Sequence, residues 1–293
     1  MGGRTCVRPP AGPPRGVLAS TAPDGAVEHR RLLPPADLAP FIAHFWSVRW
    51  SLRAPFTAET LPHPTVHVVL ERQQGGESSA RIGGVPTRRF VKRLEGEGRV
   101  FGIKFRAAAF QPSWGVSMEG LRDRVLPVEA VFGAPGAAWA AACIEETELD
   151  RAIATSCAFL RGVLPTLPPE VERARDLVER MAVDRALLRV DHVVAHAGLG
   201  IRALQRSFRR FVGVTPKWVL ERYRLHEAAE QLKATPALSI ARLAASLGYA
   251  DQAHFARAFR RLVGRSPREV ASASPGAARA PASSRDGALD SDR

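Results

Sequence analysis

The sequence predicts an α+β chain: a mixed N-terminal domain built on an antiparallel β-sheet, then an all-α C-terminal domain. Three observations carry this expectation. Short β-branched and aromatic runs bounded by glycine and proline fill residues 28–165, as antiparallel strands require. Pro165, Pro168 and Pro169 then interrupt the chain, and beyond them apolar residues recur at helical spacing. Finally, one segment of this helical half occurs twice, 51 positions apart.

Residues 1–27 carry Pro9, Pro10, Pro13 and Pro14 among scattered glycines and bury little apolar surface, so a disordered leader is expected. Leu38–Trp50 is apolar and aromatic, Thr65–Leu70 is β-branched, Gly83-Gly84 marks a turn, and Val100–Phe105 reads as a strand. Trp46, Trp50, Phe101, Phe105 and Trp114 are expected as core, an effector pocket being the other use of such aromatics. His63 and His67, four apart, would share one face of a strand about 13 Å apart. With His29 and His44 they would make a metal site, but histidines satisfied in the core are the expectation. Arg88, Arg89, Lys92 and Arg93 form a basic cluster that would suit an anionic ligand, with a solvated turn as the default.

The chain has 42 Lys and Arg against 29 Asp and Glu, a net charge of +13. Between Val190 and Val270 there are 14 basic and 6 acidic residues, so most of the excess sits in the helical half and a polyanion is the natural partner. Cys6, Cys143 and Cys157 lack the close pairs of a zinc or redox motif and read as reduced thiols of a cytoplasmic protein. No run of about 18 apolar residues is present, so no membrane partner is expected. Gly115-Val116-Ser117-Met118-Glu119-Gly120 lacks the second glycine of a nucleophile elbow, Gly96-Glu97-Gly98 is a near miss for a dinucleotide loop, and no enzyme is predicted.

In the repeat, Leu204–Pro216 aligns with Phe255–Pro267, with Arg, Phe, Arg, Arg, Val, Gly and Pro shared. Each copy reads as helix, glycine turn, helix. In the first, Asp191 can cap a helix through Ala197, Gly198–Gly200 turn the chain, and Ile201–Phe211 follows as the second helix. In the second, Ser239 caps Ile240–Ser246 and Asp251 caps the next helix. Leu204, Phe208 and Phe211, like Phe255, Phe259 and Leu262, recur at four and three and must face a core. The opposite faces offer Arg202, Gln205 and Arg206, and Gln252, His254 and Arg257, to double-stranded DNA. Arg can pair with guanine and Gln with adenine in the major groove, and helix N-termini enter the groove first. Arg209, Arg210, Arg260 and Arg261, a turn later, suit phosphates. Pro216 opens a linker helix to about Lys233, packed through Leu225, Ala228, Ala229 and Leu232. At 1.5 Å per residue it spans about 27 Å, a spacer on the scale of successive major-groove segments.

At Gly248-Tyr249-Ala250-Asp251-Gln252-Ala253-His254-Phe255, with Arg257, Phe259, Gly264, Pro267 and the linker residues Arg224, Leu225 and Ala228, the chain resembles the AraC/XylS family of transcription regulators. The resemblance implies two helix-turn-helix units over 168–270, with base-reading positions at Arg202, Gln205, Arg206, Gln252, Ala253, His254 and Arg257. Gly200 departs from the Ser cap frequent in the family, and Ala253 offers no hydrogen bond. Leu33-Pro34-Pro35, Phe45-Trp46, Leu61-Pro62-His63-Pro64, Gly83-Gly84-Val85 and Gly102-Ile103-Lys104-Phe105 resemble an uncharacterised domain found before AraC-type DNA-binding domains. That resemblance implies an effector-sensing or dimerisation role for 28–165. The function expected is a sequence-specific DNA-binding regulator with no metal or organic cofactor and a disordered tail over 271–293. RNA polymerase, a small-molecule effector and a second copy of the chain stand open as further partners. The alternatives are a non-specific architectural DNA binder and a DNA-repair protein fused to the same unit, the latter needing an activated cysteine.

Overall fold

The computed structural model describes residues 9–10, 16–19, 26–73, 75–76 and 78–273. Packing divides the chain into two compact units, Met1–His226 and Glu227–Arg293.

In the first unit, strands β1 (Val17–Ala19), β2 (Val27–Leu32), β3 (Ile42–Ser51), β4 (Phe56–Thr60), β5 (His67–Gln73), β6 (Ser79–Gly83), β7 (Phe90–Leu94), β8 (Glu97–Phe105) and β9 (Val125–Pro127) make two antiparallel sheets. One has the order β2-β3-β8-β5-β6-β9 and the other β1-β4-β7. Helices α1 (Gln111–Trp114), α2 (Glu129–Glu145) and α3 (Leu149–Val163) accompany them.

Strand alternation sorts the larger sheet into two faces. Phe45 pairs with Ile103, and Val68 and Leu70 pair with Ile103 and Phe101, so these side chains point one way. They are buried in one core with Trp139, Ile153 and Leu160 of α2 and α3. Trp139 stacks on Phe159 at 4.5 Å between ring centroids. Each such side chain withdrawn from water contributes roughly 1.5–3 kcal/mol, which is why the helices cover this face.

On the other face Val27 and Trp50 pack with Leu94 of the smaller sheet, Phe56 and Ala58 of β4 closing around them. Two glycines of β8 make this approach possible. A Cβ on Gly102 would fall 2.0 Å from Trp46, and one on Gly98 would fall 2.2 Å from Trp50, so both indoles lie against bare backbone.

The helical half begins with α4 (Pro169–Val183), whose Val171, Ala174, Val178 and Met181 share one buried face. Next come α5 (Val190–Ala197), α6 (Ile201–Ser207) and α7 (Pro216–Ala234). The second unit holds α8 (Ile240–Ser246), α9 (Gln252–Val263) and α10 (Pro267–Ser272).

Several expectations change. Val17–Ala19 lies within the segment expected as leader, yet it pairs with β4. Backbone hydrogen bonds with an otherwise open edge order it, despite its composition. The remainder of the leader, with Cys6, and the tail beyond Ala273 fall outside the described residues, while Ala271 and Ser272 close α10. The prolines at 165–169 do separate α3 from α4, but burial runs on across them: Val171, Phe208 and Leu220 belong to the same core as Phe45 and Trp139. The compact unit therefore ends inside α7, because apolar contact, not chain composition, sets where packing stops. His63 precedes β5 instead of lying on it, and its ring sits 4.5 Å from that of His226. The five aromatics divide: Phe101 and Phe105, with Trp114 against them, join the helix-covered core, Trp50 joins the inter-sheet cluster, and Trp46 meets His67 edge-on at 6.1 Å. In the basic cluster, Arg89 pairs with Glu59, Lys92 with Glu71 and Arg93 with Glu95, so carboxylates already occupy what an anion would need. Arg88 is exposed.

Gly84 supplies a direct test of the packing. A Cβ there would lie 1.8 Å from the carbonyl oxygen of Leu121. Gly84→Ala should therefore cost about 1–3 kcal/mol in urea unfolding, the usual penalty for overpacking. Gly120→Ala, where a Cβ meets nothing within 4 Å, is the control and should change stability little.

Candidate nucleic-acid interface

In the first repeat, α5 starts after Arg189 in extended backbone (φ −133, ψ 157), with no side-chain cap, and ends at Gly198 in the left-handed region. Asp191 was expected as the cap but lies inside the first turn. The helix starts earlier because Val193 donates its N–H to the Arg189 carbonyl, 3.3 Å, which leaves the Asp191 carboxylate near the helix N-terminus as a favourable charge. Gly200 starts α6 without a side-chain acceptor, as its lack of a side chain dictates. Leu204, Phe208 and Phe211 are buried, whereas Arg202, Gln205, Arg206, Arg209 and Arg210 are exposed. The helix does not run as α-helix to Phe211. Residues Phe208–Val212 form a wider turn in which Gly213 donates to the carbonyl of Phe208, five residues back, at 2.8 Å.

In the second repeat both caps form. Ser239 Oγ accepts from the Arg242 N–H at 3.4 Å, and Asp251 Oδ1 accepts from the His254 N–H at 2.6 Å. Phe255, Phe259 and Leu262 are buried. Gln252, Ala253, His254, Arg257, Arg260 and Arg261 are exposed, with the His254 ring edge-on to Tyr249 at 5.4 Å. Ser266 and Glu269 close a capping box on α10. Among the described residues no carboxylate pairs with the arginines of either exposed face, which leaves their guanidinium groups available to an anionic partner.

The His254 N–H, with smaller help from Arg257 and His254 charge, holds the Asp251 carboxyl below the usual carboxylate range. A depressed acid stabilises the fold above its unfolded value, about 3.9, and loses that contribution as pH falls through its folded value. Amide exchange at the start of α9 should therefore stay slow from neutral pH to about 4 and accelerate below it, after correction for intrinsic rates. Protection unchanged to pH 2 would show that the cap does not hold this helix start.

A second polar cluster lies on the face of the larger sheet turned toward β4 and β7. His44 and His67 both pair with Lys104, which places the three side chains on one face. Burial, with Lys104 close by, lowers His67 to about 3, and His44 falls to about 2 for the same reasons. Burial and Arg31 lower Lys104 to about 8. Among the described residues no three metal-ligating side chains converge, and the Trp46 Nε1 beside this cluster has no hydrogen-bond partner. The sequence singled out His44 and His67 but missed Lys104. Its signal was the alternation Gly102, Lys104 on one face of β8, and only strand register joins it to the histidines.

Cys143 and Cys157 are buried, and burial raises both thiols, Cys157 to about 11, so neither is an activated nucleophile.

Compared with known proteins, residues 193–273 match the family described as "Helix-turn-helix domain" and residues 30–127 match "Domain of unknown function (DUF6597)". The chain carries an AraC-type DNA-binding domain. The chain is 40% identical over 72 residues to the HTH-type transcriptional activator RhaS of Escherichia fergusonii, a match covering 25% of this chain and 26% of RhaS. The transcriptional activator NphR of a Rhodococcus species is 31% identical over 153 residues, covering 50% of this chain and 44% of NphR. The chain thus spans less than half the length of these curated relatives. Among solved structures, an AraC-type transcriptional regulator from Chromobacterium violaceum is 29% identical, covering 36% of this chain and 95% of that one, with a TM-score of 0.31. ToxT from Vibrio cholerae is 13% identical, covering 83% of this chain and 97% of that one, with a TM-score of 0.37.

Among the described residues no helix is long and apolar enough to cross a membrane.

Proposed function

We propose that the chain is a sequence-specific, cytoplasmic transcription regulator in which residues 168–270 read double-stranded DNA under control of residues 28–165. The observation that carries this reading is the pair of unpaired, exposed basic helix faces within an AraC-type domain. Arg202, Gln205 and Arg206 on α6, and Gln252, His254 and Arg257 on α9, are assigned to base edges. Arg209, Arg210, Arg260 and Arg261 are assigned to phosphates, where they supply affinity without sequence information. The raised thiols weigh against the repair-protein alternative. Selection from a random-sequence duplex library tests the reading: an enriched motif with two subsites is expected, and a pool that stays unenriched after repeated rounds contradicts it.

For the N-terminal domain, the Lys104, His44 and His67 cluster favours control by a small anionic effector lodged between the sheets. Among the described residues no carboxylate pairs with this half-buried ammonium, which shares its face with two neutral imidazoles, and a carboxylate or phosphate ligand would supply a counter-charge. Because Lys104 is lowered in the folded state, its protonated form opposes folding most below about pH 8, and the opposition vanishes near its unfolded value, about 10.4. Lys104→Met should accordingly raise the melting temperature at pH 7, with a gain that shrinks toward pH 10, and abolish thermal stabilisation by anionic ligands. A lower melting temperature at pH 7 would show that Lys104 already has its counter-charge.

A further inference from the structure

The two repeats end in nearly the same words, Phe208-Arg209-Arg210-Phe211-Val212-Gly213 and Phe259-Arg260-Arg261-Leu262-Val263-Gly264, but in different turns. In the second, the Gly264 N–H donates to Arg260 O, four residues back, at 2.8 Å, as in any α-helix. In the first, the Gly213 N–H reaches one residue further, to Phe208 O. That choice leaves the Arg209 carbonyl without its helical donor. It is met by Ser117 Oγ, which donates to Arg209 O at 3.1 Å. The turn holding Ser117 is pressed close to the same place: a Cβ on Gly213 would lie 2.7 Å from the carbonyl oxygen of Met118, and Met118 is buried.

Local sequence cannot explain the difference, since the two hexapeptides differ only in Phe211 against Leu262. The difference lies in the hydroxyl that replaces the missing donor. A wide turn takes up one extra residue, and closing it to α-helix would rotate α6 by about 100° against the chain entering α7. The exposed face of α6, with Arg202, Gln205 and Arg206, would rotate with it.

We infer that Ser117, in the near-miss motif 115–120 of the N-terminal domain, is a positioning residue for the first recognition helix: its hydroxyl holds the wide turn and so sets which side of α6 faces DNA. This rests on the proposed role of α6 as a reading helix. It also gives the N-terminal domain a route to that helix, because anything that shifts the Ser117–Leu121 segment changes the donor available to Arg209 O.

Ser117 Oγ also accepts from the Glu119 N–H at 3.3 Å, so the test must separate donor from acceptor. Ser117→Asp keeps an acceptor for Glu119 but cannot donate to Arg209 O, Ser117→Ala loses both, and Ser117→Thr keeps both. Scalar coupling across hydrogen bonds, read by NMR on the full chain, should join the Gly213 nitrogen to the Phe208 carbonyl carbon in the parent and in Ser117→Thr. In Ser117→Asp and Ser117→Ala it should move to Arg209. On DNA selected with the parent protein, those two variants should lose about tenfold in base discrimination at the α6 subsite and keep it at the α9 subsite. Couplings that stay on Phe208 in both variants overturn the inference, as does discrimination that is unchanged or that falls equally at both subsites. A parent protein with no base preference would instead count against the proposed function, leaving the coupling result to decide how the turn is held.

Discussion

Phe259→Ala is expected to cost about 3–5 kcal/mol, the usual range for emptying a fully packed phenylalanine site. Phe259 has no exposed surface, and its ring lies 5.6 Å from that of Phe255, which is equally buried. It belongs to the smaller of the two compact units, Glu227–Arg293. A domain has roughly 5–15 kcal/mol to lose, so this one substitution should remove a large share of the stability of the unit that holds α9. Urea unfolding followed by amide exchange in 227–273 measures it. The Met1–His226 unit, which lacks this side chain, should keep its own transition. A cost under about 1 kcal/mol would mean that α8 and α9 pack loosely and that the second arm is not a preformed reading surface.

Arg206→Ala and Arg210→Ala should separate two kinds of DNA contact. Both side chains are exposed, but Arg206 lies in the last turn of α6, whereas Arg210 lies one turn later, in the wide turn, with its guanidinium 5.1 Å from the centre of the Phe211 ring. A bidentate Arg–guanine pair carries about 1–3 kcal/mol of discrimination, so Arg206→Ala should erase a preference of roughly 5- to 150-fold at one position. Arg210→Ala should weaken all sequences alike and reduce the salt slope by about one counterion. Titrations of both variants against single-base variants of the selected site, at several salt concentrations, give both quantities. Identical behaviour of the two would remove the division between base and phosphate contacts.

How legible these features were depends on the range of the interaction that fixes them. The buried stripes of α9 and the caps Ser239 and Asp251 are set within a few residues, and they stand in the structure where spacing placed them. The exposed arginines follow from the same periodicity, since a helix that buries Phe255, Phe259 and Leu262 must turn Gln252, Arg257 and Arg260 outward. The antiparallel sheet was visible as alternation, but its partners were not: no local pattern says that His44 and His67 flank Lys104. Strand β1 was hidden for the opposite reason, because its order comes from pairing with β4 and its own composition argues against any. The end of α6 is the sharpest case. Its sequence predicts an α-helix to Phe211, the second repeat shows that this sequence does form one, and a hydroxyl 92 positions away redirects a single hydrogen bond.

The central claim is that this chain distinguishes DNA sequences, and equilibrium titration at about 0.15 M salt tests it most directly. Duplexes carrying the selected two-subsite motif and random duplexes of equal length would be compared in the same buffer. Sequence-specific recognition predicts an affinity ratio of about a thousandfold or more. Equal affinities for the two would contradict it and make the basic helix faces those of a non-specific DNA binder.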